Sequence, residues 1–301
     1  MNMHSRQPAD SAEPRGWLQP THERALLALK AINESRWRDA SRHVESLDAT
    51  EPRPRAWRCY LQGDLFFRRG DLDRGETSLL LAASTALALS VTEGLETSGE
   101  ALRLAAGALD RVGAIRRRLE QFAAAERAHL LAYRIRLEHG SLEEQWESAL
   151  GLSMTAEFAG KKEDAIRWAK RAIQRAEQAA DPSLGKQAAG WDQLACALAA
   201  DARFEEAATA ARRALELWRT HDPSVAAVPQ AQMRLGQTLL KMVEGMFESP
   251  QPEAAPVLRE AIAHLRAARD PLLAFGANFQ QDGARCDQLI DLAQRLLESL
   301  D

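Results

Sequence analysis

Cysteine, tyrosine and asparagine are scarce in this chain of 301 residues, which has three cysteines, two tyrosines and asparagine only at positions 2, 33 and 278. Cys59, Cys196 and Cys286 lie far apart, are odd in number, and have no Cys-x-x-Cys spacing or neighbouring histidine. That argues against a disulfide framework and a zinc site, and each cysteine is expected to be buried packing. Residues that pack well in strands are few, whereas Ala, Leu, Arg, Glu and Gln are abundant, so the chain reads as all-α. Neither charge dominates: 39 Lys and Arg face 43 Asp and Glu, for a formal net charge of −4. Such a balance does not mark a nucleic-acid or membrane-surface binder. No segment approaches the roughly 20 uninterrupted apolar residues of a membrane helix. The N-terminus also lacks the apolar core of a secretory signal, so no membrane partner and a cytoplasmic location are expected. Residues 1–16, with Pro8, Pro14 and Gly16, read as a disordered leader.

Self-similarity is the informative feature. In the segment beginning at Trp191, the residues Trp191, Leu194, Ala195 and Leu198 repeat at i, i+3, i+4 and i+7, one face of a helix. After a break at Asp201-Ala202-Arg203, Phe204, Ala207, Ala208, Ala211, Ala214 and Leu215 form the buried face of a second helix. That helix ends near Asp222-Pro223, because a proline disfavours helix at the residue before it. The preceding unit matches it, with Leu152 and Ala156, then Gly160, then Ala165 and Ala172, then Asp181-Pro182. The paired alanines are 42 residues apart. Weaker copies carry Gly63, Gly70, Gly75 and Ala82, or Gly113, Phe122, Ala125 and Ala132, or Trp37, Ala40 and Pro52. Leu235-Gly236 opens a last unit whose second helix runs through PEAAPVLREAIAHLRAARDP. The gap of 50 residues from Gly75 to Ala125 calls for lengthened helices or loops.

These units resemble tetratricopeptide repeats, in the longer variety of about 40–42 residues seen in kinesin light chains and many bacterial regulators. The match rests on Trp191, Leu194-Ala195, Leu198, Phe204, Ala207 and Ala214, and weaker copies extend it over nearly the whole chain from about residue 20. The small positions have a physical role, since Ala or Gly lets two helix backbones approach closely. The resemblance implies a right-handed superhelical solenoid of antiparallel helix pairs. About six repeats would occupy 17–283, with a capping helix over 284–301.

Motifs for catalysis are weak. The seven histidines show no His-x-x-x-His spacing, so no metal is expected. Gly160-Lys161 and Gly185-Lys186 lack the upstream glycine and following Ser or Thr of a phosphate loop. There is no Gly-x-Ser-x-Gly elbow. The carboxylate pairs Glu143-Glu144, Glu163-Asp164 and Glu205-Glu206 suit helix starts, where they complement the macrodipole. No enzyme activity and no cofactor are expected.

What remains is surface. In the resembled fold the first helix of each pair lines the concave face, which implies partner contacts at Trp57, Tyr60, Asp64, Phe67 and Arg68, and at Asp110, Arg111, Arg117 and Arg118. The series continues with Glu147, Met154, Glu157 and Phe158, then Gln193, then Arg234 and Lys241. Arg116-Arg117-Arg118, with Arg111 and Arg68, reads as a basic patch with aromatic neighbours that suits an acidic segment. The alternative is an ordinary solvated face, or arginines paired with Glu120 and Asp110 on their own helix. Trp37 and Trp191 fall on packing positions. The Lys and Asn of the two-carboxylate clamp are missing, which disfavours a chaperone C-terminus as partner. The implied function is a protein- or peptide-binding scaffold. The alternative is a ligand- or peptide-responsive sensor acting through a separate effector chain, and self-association stays open.

Overall fold

A computed structural model describes residues 23–47, 50–92, 95–246, 254–276 and 279–300. The expected leader, 1–16, lies outside them. Thirteen helices and no strand occur among the described residues. Two compact units part after Lys161. The first holds α1 (Glu23–Asn33), α2 (Trp37–Glu45), α3 (Pro52–Arg68), α4 (Leu72–Thr92), α5 (Leu95–Arg118), α6 (Phe122–His139) and α7 (Leu142–Phe158). The second holds α8 (Lys162–Gln178), α9 (Leu184–Ala200), α10 (Phe204–His221), α11 (Ala227–Met246), α12 (Ala254–Ala274) and α13 (Gln280–Glu298). In chain order these are six pairs and a terminal helix that begins four residues before the expected 284.

One turn motif recurs between the helices of the first five pairs. Ser35, Gly70, Glu120, Gly160 and Ala202 all have φ between 56° and 83°, in the left-handed region. In each, the next residue's N–H donates to a carbonyl five residues back: Arg36 to Ala31, Asp71 to Phe66, Gln121 to Arg116, Lys161 to Ala156 and Arg203 to Leu198, at 2.8–3.0 Å. This is the Schellman closure, which satisfies a carbonyl left over at a helix end. Glycine serves it without strain at two sites, and Ser, Glu and Ala occupy the other three.

The repeat's small positions pack as expected, with Ala82, Ala125, Ala132, Ala165, Ala172, Ala207 and Ala214 fully buried. At Gly63 a Cβ would lie 2.5 Å from Leu79 Cγ, so α3 and α4 cross at a distance that only glycine allows. The 50-residue gap is met by length: α4 has 21 residues and α5 has 24. By length and composition alone α4 is apolar enough to cross a membrane, contrary to the expectation from uninterrupted runs. It packs on α3 and α5 through Leu79, Ala82, Ala83, Ala86 and Leu89. Its Leu80, Leu81 and Val91 are exposed.

The carboxylate pairs lie in the first turns of α7, α8 and α10. Ser141 and Glu144 form a full capping box on α7: Ser141 N–H donates to Glu144 Oε2 at 2.7 Å and Glu144 N–H to Ser141 Oγ at 3.2 Å. The helix expected to stop near Pro271 continues to Ala274, because fully buried Leu272 anchors the last turn. Trp37 is half-buried against the first unit's core. Cys286 is buried, but Cys59 and Cys196 are only half-buried, short of the burial expected for them.

Candidate functional site

The first helices α3, α5 and α7 pack on one another in succession, α3 with α5 and α5 with α7. That packing covers much of the face expected to meet a partner. Trp57, Tyr60 and Asp64 are each 2% exposed, and Trp57 lies edge-on to Tyr60 with ring centroids 5.9 Å apart. These three are core residues, not open contacts, because the following first helix lies over their stripe. Gln193, in the second unit, is buried as well and is not an open contact.

A chain of ions runs through these helices. The two oxygens of Asp64 accept from Arg68 Nε at 3.0 Å and Arg111 Nε at 2.9 Å. Arg111 Nη1 stands 3.6 Å from Glu147 Oε1, and Arg136 Nη2 donates to Glu147 Oε2 at 3.1 Å. Arg136, fully buried on α6, also donates to Asp110, to Ser148 Oγ at 2.9 Å and to the Glu144 carbonyl at 2.8 Å. Ser148 Oγ in turn donates to Asp110 at 2.8 Å. His129 Nδ1 lies 2.8 Å from Asp110 Oδ1, and its ring sits between Gly113 and Gly151, where a Cβ would come within 2.6 and 2.5 Å of ring atoms.

Electrostatics follow from this wiring. Burial raises the Asp64 carboxyl, but the guanidinium groups of Arg111 and Arg68 outweigh it and hold the pKa below the usual range. Asp110 is lowered in the same way, burial being overcome by Arg136 and His129. Arg111 and Arg136 are raised, their burial being overcome first by Asp64 and by Asp110, respectively. Burial pushes the Tyr60 hydroxyl up to about 12. These groups neutralise one another. Among the described residues, no group of three or more His, Cys, Asp and Glu could hold a metal ion.

Above this chain the C-terminal ends of the three first helices carry a more accessible row. Arg118, half-buried at the end of α5, has its guanidinium carbon 4.2 Å from the Phe67 ring centre. Arg117 lies over Phe158 at 5.8 Å, and Phe158 is exposed. Burial, then the charge of Arg111, lowers the pKa of Arg118. No carboxylate pairs with Arg118 among the described residues. Arg116, by contrast, donates to Glu76 on α4 at 2.7 Å, so its partner is on a neighbouring helix, not its own. The row thus runs from Phe67 and Arg68 through Arg118 and Arg117 to Phe158, with half-buried Met154 and Glu157 on the same helix as the last ring.

The remaining candidates belong to the second unit. Arg234 is tied to Asp192 through two contacts, Nε to Oδ1 at 2.8 Å and Nη2 to Oδ2, and Lys241 is exposed. Linear reading named Asp64, Asp110 and Glu147 but missed Arg136, His129 and Ser148. One signal was available: Asp192 and Arg234, of opposite charge, stand 42 residues apart, one repeat period.

The fold is an all-α array of helix pairs like that of tetratricopeptide repeats. Neither protein-family models nor curated protein sequences give a match. Solved structures do. The chain is similar to BtubC (BKLC) from P. vanneervenii, at 18% identity and TM-score 0.57 over 84% of this chain and 91% of that one. It is also similar to a Rap protein solved with Competence and Sporulation Factor, at 14% identity and TM-score 0.59, covering 92% and 74%. A third is a kinesin light chain of Podosopora anserina with TPR-like repeats, at 13% identity and TM-score 0.52, covering 73% and 99%. At these identities the likeness establishes the fold.

Proposed function

We propose that this chain is a protein- or peptide-binding module whose partner presents an acidic segment to the ends of α3, α5 and α7. The observation that carries this reading is Arg118: a half-buried guanidinium stacked on Phe67, pressed by the like charge of Arg111, with no carboxylate beside it among the described residues. A cation in that setting gains by meeting an external anion, and the rings of Phe67 and Phe158 offer apolar contact on either side. The fold supports the reading, since one structurally similar Rap protein was solved with a factor bound. A sensor working through a separate chain is the less favoured reading.

Fluorescence anisotropy on the full chain tests the proposal with labelled ten-residue peptides that alternate glutamate with phenylalanine, against glutamine counterparts. The glutamate peptides should bind more tightly, with an affinity that falls as salt rises. Arg118→Glu should weaken them by on the order of tenfold or more. Equal binding of both peptide sets, or an unchanged affinity in Arg118→Glu, contradicts the proposal.

A further inference from the structure

We infer that Asp64 is a resident competitor at the binding face, a carboxylate of the protein itself that occupies the two arginines an acidic partner would otherwise take. The inference rests on the reading just given. Its basis is the geometry below Arg118. Arg68 ends α3 and Arg111 lies two turns before the end of α5, so both belong to the helices that carry the Phe67 and Arg118 stack. Each is only partly covered, with side-chain exposures of 21% and 24%, while Asp64 between them is 3% exposed. Arg68 also reaches Asn33 Oδ1 at 3.3 Å, an exposed residue at the end of α1.

The buried carboxylate therefore holds the Nε of both guanidinium groups, while Nη2 of Arg68 reaches exposed Asn33 and Nη1 of Arg111 faces Glu147, so Arg68 is the one whose second partner lies at the surface. Five N–H donors in a fixed fork allow one arginine to serve two acceptors, but each shared donor weakens what is left for a ligand. An incoming acidic side chain meets Arg118 uncommitted, and meets Arg68 and Arg111 already engaged. The apparent affinity is then reduced by the fraction of time those arginines are turned to Asp64. The same contact favours a partner whose single carboxylate falls at Arg118 over one that needs several arginines at once, so Asp64 sets selectivity as well as strength.

The position on α1 allows a test outside the core. Asn33→Asp places a second carboxylate on Arg68 without disturbing buried structure, and Asn33→Ala removes the contact that Arg68 now makes. Asp64→Asn keeps the shape and an acceptor oxygen but removes the charge. Each variant would be confirmed as folded by circular dichroism, then titrated with a fluorescein-labelled peptide of six glutamates closed by one phenylalanine. Asp64→Asn should bind that probe on the order of tenfold more tightly than the wild type, with a steeper salt dependence as Arg68 is released and Arg111 is left with Glu147 alone. Asn33→Ala should shift affinity in the same direction by a smaller factor, and Asn33→Asp in the opposite direction.

Should Asp64→Asn fail to fold, Asp64→Ser, which also removes the charge, takes its place with the same expected gain. Unchanged or weaker binding in the Asp64 variant that folds overturns the inference. If Arg118→Glu still abolishes binding in that case, the acidic-partner reading survives without it. If neither the wild type nor any variant binds the probe, both are overturned.

Discussion

The two units solve one problem in two ways. In each, an aspartate on a first helix grips an arginine on the next first helix: Asp64 to Arg111 in the first unit and Asp192 to Arg234 in the second. In the first unit the pair extends into the chain from Arg68 through Glu147 and Arg136 to Asp110 and His129. The second unit has an apolar alternative further on, where α11, α12 and α13 meet through Val243, Leu258, Leu265, Leu272, Cys286 and Ala293. Burying several charges costs desolvation that their mutual attraction only roughly returns, so the ion chain is weak as a source of stability. Its value lies in register: each first helix must sit where its ion finds a partner. An apolar cluster is more tolerant of sliding. The unit with the longer ion chain is also the one that presents Arg118 and Phe67.

Removing one link from each unit should have the largest effect. Arg136→Met takes the guanidinium from both Asp110 and Glu147 and should cost roughly 3–5 kcal/mol, whereas Asp192→Ala breaks a single pair and should cost less. Hydrogen exchange in the full chain reads this locally, with protection falling in α5–α7 for the first variant and in α9 and α11 for the second.

Acid should separate the units next. Asp64 and Asp110 have folded pKa values below the unfolded carboxylate value of about 3.9, so their contribution is complete above that pH. It is lost as pH falls through the lower folded values. Amides of α3, α5 and α7 should therefore lose protection on acidification below about pH 4, while those of α12 persist further.

Smaller effects sharpen the picture. Gly113→Ala drives a methyl into the His129 ring and should cost about 1–3 kcal/mol. Gly245→Ala on α11, with nothing within 4 Å of the added Cβ, should instead stabilise by up to about 1 kcal/mol. Ala202→Gly should relieve a left-handed residue and stabilise by about 1 kcal/mol. Thermal melts of each variant check the signs.

The repeat itself was legible in the sequence because its landmarks are local: small residues at fixed offsets, turn residues at Gly70, Gly160 and Ala202, and Asp-Pro stops after α8 and α10. The site was less so. Trp57 and Tyr60 are amphipathic side chains that fit an exposed groove as well as a core, and only the packing of α5 over α3 decides between them. Asp64 and Arg111 are 47 residues apart because α4 and α5 are long, so no constant period aligns them. The Arg118 and Phe67 stack was foreshadowed as a basic patch with aromatic neighbours, yet the partition of its arginines into engaged and unengaged depends on carboxylates from other helices.

The most direct measurement is a hydrogen-exchange footprint of the full chain with and without a glutamate-rich peptide. New protection is expected at the C-terminal ends of α3, α5 and α7, around Phe67, Arg118 and Phe158, and none around Arg234 and Lys241. Protection confined to α9 and α11, with the first unit unchanged, would contradict it.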